Sequence, residues 1–187
     1  MMHATETPRL LLRPIELTDA PSILALDSDP EVLRYVPNAP MKDLAEAMAV
    51  VEYIQAQYVR NDIGRWAVER KEDGAFLGWC GLKLVDDAVT NGRSNYHDLG
   101  YRLLTRYWGH GYASEAAAAS LRYGFEVLQL PVIHATVMRE NRASCRIVEK
   151  LGLQCTAEFT GVEGAPWYWY EKQMPVLIPG APPRLAP

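Results

Sequence analysis

The run Asp98-Leu-Gly-Tyr-Arg-Leu-Leu-Thr-Arg-Tyr-Trp-Gly109-His-Gly111-Tyr-Ala113-Ser-Glu-Ala-Ala-Ala118 limits what this chain can fold into. Leu99 to Leu104 alternates as a strand buried on at least one side, with Tyr101 and Leu103 on one face and Gly100, Arg102 and Leu104 on the other. Gly109 and Gly111 then permit backbone that other residues resist, and the alanine-rich run Tyr112 to Phe125 predicts a helix directly behind them. A helix start presents free N–H groups and the positive end of the helix dipole. Strand, glycine turn and helix therefore predict a phosphate or pyrophosphate site.

Composition narrows the class. At 187 residues, 49% hydrophobic and 22% charged, the chain suits one globular domain with a sizeable core. Its net charge of -4 argues against a general nucleic-acid binder and favours amine or cationic partners. Cys80, Cys145 and Cys155 are odd in number and lack metal-ligand spacing, so reduced thiols, no metal and a cytoplasmic setting are expected. No apolar run approaches the ~20 residues of a membrane helix, and no membrane association is expected.

Around the central run, Leu10 to Ile15 reads as a strand ahead of a helix with Thr18 as N-cap and Pro21 in its first turn. Arg34 to Met41 is a proline-bearing loop and Asp43 to Val59 an amphipathic helix. Arg65 to Arg70 and Ala75 to Leu84 form a hairpin about Lys71–Gly74, and Asp86 to Asn95 is an exposed connection. Pro131 introduces Val132 to Val137, a buried parallel strand reached by a right-handed crossover. Asn141 caps a helix that ends at Gly152. Leu153 to Phe159 and Trp167 to Met174 close the sheet, and five prolines in residues 175–187 describe an extended or disordered tail.

The segment Trp108-Gly-His-Gly111-Tyr-Ala113-Ser-Glu-Ala resembles the acetyl-coenzyme A loop of the GNAT N-acetyltransferase superfamily, and its nearest branch is RimJ/RimL-like, the ribosomal-protein N-terminal acetyltransferases. Trp108 stands where that loop usually has Gln or Arg. The resemblance covers roughly residues 8–174. It implies an α+β fold with a mixed, mostly antiparallel seven-stranded sheet, a splayed parallel central pair and flanking helices. It also implies acetyl-coenzyme A as co-substrate and a primary amine as acceptor, either a protein N-terminus or a small amine such as a polyamine or antibiotic, in a chain that could form a homodimer.

By motif position the coenzyme would be held by Trp108, Gly109, His110, Gly111, Tyr112 and Ala113, by main chain at Tyr101 and Leu103, and by Asn141. Asn141 and Ser144 match the superfamily's Asn-x-x-Ser, which brings Ser144 near the sulfur, with Ser144 or water as the proton donor. The superfamily's frequent Tyr four residues further on is here Val148. Asp98 stands where related sequences often carry Glu and is the candidate general base. His97 is the alternative, and strand alternation allows only one of the two to face the acceptor. Two rivals remain in view. A dinucleotide-binding oxidoreductase fails because the third glycine of the fingerprint is Ser114 and the motif follows antiparallel strands. A non-catalytic acyl-coenzyme A binding module would have the same loop.

Overall fold

A computed structural model describes residues 4–161 and 164–174 of the chain. The proline-rich tail and the middle of the 161–166 loop lie outside these residues. The strands are β1 (Thr5–Glu6), β2 (Leu10–Pro14), β3 (Arg65–Arg70), β4 (Ala75–Val85), β5 (Tyr96–Leu103), β6 (Val132–Met138), β7 (Gln154–Thr160) and β8 (Pro166–Gln173). The helices are α1 (Ala20–Asp27), α2 (Pro30–Leu33), α3 (Leu44–Asn61), α4 (Tyr112–Arg122) and α5 (Arg142–Lys150). Among the described residues the strands form one sheet in the order β1-β2-β3-β4-β5-β6-β8-β7. Eight strands replace the expected seven, because the two-residue β1 pairs through Thr5 and Glu6 with Leu12 and Leu11 ahead of the expected domain start.

All neighbours pair antiparallel except β5 and β6, which run parallel and meet at a single register position, Asp98 opposite His134. β5 is paired with β4 along its whole length, from Gly78–Leu103 to Val85–Tyr96. Beyond Asp98 its other edge has no ladder partner.

Alternation along β5 sorts its side chains into two layers. Leu99 and Leu103 pack with Ala116, Ala117, Ile133 and Val148 under α4 and α5. The opposite face lies under α1 and α3, where Ile23, Val51, Ile54 and Ala67 are buried with Trp79 against them. Alanines at 116 and 117, both 0% exposed, let α4 lie close on the sheet. The helix does not stay regular to Phe125; it gives way after Arg122 to a π-helical turn over Tyr123–Val127.

Asp43 caps α3 by accepting the Glu46 N–H at 3.0 Å, and Asn141 caps α5 by accepting the Ser144 N–H at 3.1 Å. Thr18 does not cap α1. The Asp19 carboxylate, buried and gripped by Arg13 at 2.8 Å, accepts the Glu16 N–H at 2.9 Å, so the first turn is closed by Asp19 with Pro21 following.

Candidate active site

The amide of Leu104 donates to Leu77 on β4 at 2.9 Å. Successive residues of a strand alternate in direction, so the N–H groups of Tyr101 and Leu103 point away from β4 into the β5–β6 splay. A cleft of about 650 Å³ opens there. Asp98, Tyr101, Leu103, Asn141 and Ser144 line it, as do Trp108, Gly109, Gly111, Tyr112 and Ala113. The glycine loop, the splayed strand and the first turn of α5, separate in sequence, thus face one space.

The loop conformation depends on its glycines. Gly109 has φ +78° and Gly111 φ +81°, the left-handed region where a Cβ is strained. Gly111 is also the residue from which α4 starts, so the first N–H groups of that helix open toward the cleft. The Trp108 indole donates to the Leu103 carbonyl at 2.7 Å, tying the loop back to β5 and giving tryptophan a role where a polar side chain was expected. His110 alone of residues 108–113 does not line the cleft; its ring stacks on Tyr112 at 5.8 Å. Arg106, in the turn ahead of the loop, lies over the Tyr107 ring.

A cation that sequence reasoning missed sits at the loop. Arg9 donates through Nε to Glu115 at 2.7 Å and through Nη1 to the His110 carbonyl at 3.0 Å, and it covers the Tyr112 ring at 4.5 Å. Burial pushes the Glu115 carboxyl up, but hydrogen bonds from Thr7 and from the Arg9 backbone and side chain outweigh it and hold the group below its usual value. The carboxylate in the first turn of α4 is thereby neutralised next to the helix start. No motif signals Arg9, which lies more than 100 residues from the loop.

On the other face of β5, Asp98 meets a second missed residue. Its Oδ2 accepts from Arg65 Nη2 at 2.6 Å, while Arg65 Nη1 donates to the carbonyls of Gly81 and Asp98. Gly100 makes the room, since a Cβ there would stand 2.7 Å from the guanidinium. Burial raises the Asp98 carboxyl above its ordinary value, and the Arg65 charge opposes that rise. Asp98 Oδ1 is buried without a hydrogen-bond partner. His97 lies on the opposite face of the strand; burial and, less, the charge of His134 lower its pKa.

At Val148, 1% exposed, no hydroxyl is available. The Tyr101 hydroxyl instead reaches the Ser144 carbonyl at 3.3 Å, and burial raises its pKa, so it stays protonated. Behind Asp98 a second cavity of about 550 Å³ is lined by Asp27, Glu46, Tyr53, Gln57 and Lys83. Arg65, Trp79 and Arg102 line both spaces and form the wall between them. Among the described residues no group of three or more His, Cys, Asp or Glu is placed to hold a metal.

The acetyltransferase (GNAT) domain model matches residues 9–154. The chain belongs to the GNAT acetyltransferase family. An uncharacterized N-acetyltransferase of Bacillus licheniformis, p20, is 35% identical over 153 residues, 82% of this chain and 83% of its own. The spermidine N(1)-acetyltransferase of Escherichia coli K12 is 29% identical, over 79% of this chain and 74% of its own. Among solved structures, a GNAT acetyltransferase from Bacillus anthracis superposes with TM-score 0.77 at 25% identity, covering 91% of this chain and 98% of that one. A ribosomal-protein-S5-alanine acetyltransferase from Vibrio fischeri superposes with TM-score 0.72 at 17% identity, covering 94% and 99%, and shares the fold. The protein is an acetyl-coenzyme A-dependent N-acetyltransferase. Among its described residues no helix is long and apolar enough to cross a membrane.

Proposed function

We propose that this GNAT enzyme acetylates an α-amine, that of a peptide or protein N-terminus, by direct attack in a ternary complex, as its RimJ/RimL-like loop suggests. The observation that carries the reading is the lining of the second cavity. Arg65, Lys83 and Arg102 contribute three cations there, each in an ion pair, with Asp98, Asp87 and Asp27 respectively; Asp27, one of the two lining carboxylates, is held by Arg102 at 2.6 Å. The other, Glu46, accepts the Lys42 N–H at 2.9 Å. A polyamine with several positive charges needs unpaired carboxylates, whereas a peptide brings carbonyl oxygens that Arg102 and Lys83 can meet. Protonation points the same way: an α-amine of pKa ~7.7–8.0 is neutral in roughly a tenth of molecules at pH 7, a lysine amine in far fewer.

In this reading the pyrophosphate rests on the Gly109–Ala113 backbone at the start of α4, with Arg9 adding positive charge. The Tyr101 and Leu103 N–H groups hold the pantetheine arm and polarise the thioester carbonyl, and the Asn141 side chain meets the coenzyme's amides while capping α5. Asp98 takes a proton from the arriving ammonium. The neutral amine attacks the carbonyl carbon, the C–N bond forms, and the C–S bond breaks as the tetrahedral intermediate collapses. The second amine proton reaches the thiolate with Ser144 beside it; a thiol of pKa ~8.5 needs little help to leave. Reduced cysteines and an acetyl-coenzyme A substrate suit the cytoplasm.

The spermidine acetyltransferase relative supports the second reading, a polyamine acceptor. Competition decides between them. With acetyl-coenzyme A, a peptide carrying one free α-amine and one lysine, and spermidine in one mixture, mass spectrometry should find the acetyl group on the α-amine first. Preferential acetylation of spermidine or of the lysine side chain would refute the proposal.

A further inference from the structure

Arg65 on β3, Gly81 on β4 and Gly100 on β5 stand opposite one another in one row across the sheet. Residues in register share a face, and neighbouring strands lie ~4.8 Å apart, so the Arg65 side chain must cross two strand spacings to reach β5. The two glycines leave it a trough free of side chains. A Cβ at Gly100 would stand 2.7 Å from Nη2 and 2.9 Å from Cζ, so the guanidinium fills the space that a side chain on β5 would take. There Nη2 donates to the Asp98 carboxylate at 2.6 Å, and Nη1 donates to the carbonyls of Gly81 and Asp98. The Arg65 guanidinium also lies over the Trp79 ring at 5.2 Å, as does that of Arg102, which is held in turn by Asp27. The pair is enclosed: the Arg65 side chain is 12% exposed and that of Asp98 15%.

We infer that Arg65 is the positioning residue of the base: seated in the glycine trough, it keeps Asp98 a carboxylate in one orientation as the acceptor's ammonium arrives. The inference rests on acetyl transfer with Asp98 as base. The proton passes from the ammonium to Asp98, and Arg65 neither gives nor takes one, since a guanidinium stays charged throughout the working range. It supplies charge and geometry. Nη2 on the carboxylate and Nη1 on the carbonyl of the same residue fix the side chain against its own main chain. A lysine ammonium would bring the charge without the planar fork.

Burial raises the Asp98 carboxyl above its ordinary value; the charge and hydrogen bond of Arg65 oppose that rise most, and Lys83 and the Thr136 N–H less. The other ionisable groups around the carboxylate do not replace Arg65. Lys83, in register with Asp98 on β4, is engaged by Asp87 at 3.3 Å. His134, in register on β6, is held below its ordinary pKa mainly by burial, and Tyr96, two residues back on β5, is held above its own by burial, so both are neutral at pH 7. Arg102 is held by Asp27 of α1. From α3, Tyr53 donates to Asp87 and Glu46 accepts the Lys42 N–H. Without Arg65 the effect of burial is almost unopposed, and the carboxyl stays protonated to higher pH.

The test reads the acid limb of kcat against pH. The rate is lost as pH falls through the pKa of Asp98, so Arg65→Gln should move that limb up by roughly 1–3 units, the effect of removing an opposite charge at close range, with coenzyme affinity kept. Arg65→Lys, which keeps the charge, should move it less. Gly100→Ala leaves both charged residues present and pushes the guanidinium from its seat, so its limb should move in the same direction. In an Asp98→Asn background, Arg65→Gln should change the pH profile no further. Carbon-13 NMR titration of the Asp98 carboxyl, which needs no turnover, should show its pKa raised in both Arg65→Gln and Gly100→Ala.

A folded Arg65→Gln whose acid limb superposes on the wild type would overturn the inference, as would an Asp98 titration that it leaves unmoved. An equal loss of rate on adding Arg65→Gln to Asp98→Asn would also overturn it, since a merely structural arginine acts whether or not the base is present. If Arg65→Gln does not fold, Gly100→Ala decides by the same two shifts. If the wild type releases no thiol with any primary amine, it is the acetyl-transfer reading that fails, and the carboxyl titration still judges the hold of Arg65 on Asp98 separately.

Discussion

Asp98→Asn removes one charge and keeps the side chain's shape. In the wild type the carboxylate is held by Arg65 Nη2 at 2.6 Å, and the guanidinium has two further acceptors in the carbonyls of Gly81 and Asp98. A hydrogen bond to a charged group contributes about 1.5–3 kcal/mol. The asparagine oxygen recovers part of that, and relief of the buried carboxylate's desolvation recovers more. Stability should fall by no more than about 2 kcal/mol, a Tm decrease of roughly 4–8 °C in a chain of this size. The catalytic loss should be far larger, about 10²-fold in kcat/KM, because the base is gone. The deficit should be greatest below the acceptor's pKa, where the amine arrives protonated, and should shrink as pH approaches ~8. In the wild type the rate is lost as pH falls through the raised pKa of Asp98, and the variant should lack that limb. Thiol release across pH, with coenzyme affinity by calorimetry and Tm by thermal denaturation, separates the effects. Full activity of a folded variant from about pH 6 to 9 would refute the assignment of Asp98 as base.

Gly111→Asp should abolish acetyl-coenzyme A binding by calorimetry, since φ +81° strains any side chain and a carboxylate there would repel the pyrophosphate. Ser144→Ala should reduce kcat modestly and leave coenzyme affinity unchanged, while Asn141→Ala should weaken coenzyme binding and cost about 1 kcal/mol through the lost cap; identical behaviour of the two would contradict their separate roles. Arg9→Ala should raise the coenzyme Kd several-fold by calorimetry with kcat at saturation kept, because Arg9 orders the loop and adds charge without approaching the amine.

The strand-loop-helix centre was legible because its signals are local. Alternation defines β5, left-handed glycines define the loop, and an alanine run defines α4. The Asn141 cap was equally plain, being a contact three residues long. Contacts that join distant segments were not legible. Arg9 reaches Glu115 across 106 residues, and Arg65 reaches Asp98 across 33. Neither arginine belongs to a motif: the sheet order β3-β4-β5 brings Arg65 to Asp98, and the packing of α4 on β2 brings Arg9 to Glu115. The row Arg65–Gly81–Gly100 is hidden for the same reason, because it follows from register across three strands. The failed cap at Thr18 is a different case: a suitable residue type was present, but Arg13 had oriented the neighbouring Asp19 to take the role.

The assignment of the β5–β6 splay as the coenzyme site is tested most directly by residue-resolved amide hydrogen exchange with and without acetyl-coenzyme A. The Tyr101 and Leu103 amides, unpaired toward β6, and those of Gly109 to Ala113 should exchange quickly in the free protein and become protected on binding. Protection confined to other segments, or none at saturating coenzyme, would contradict it.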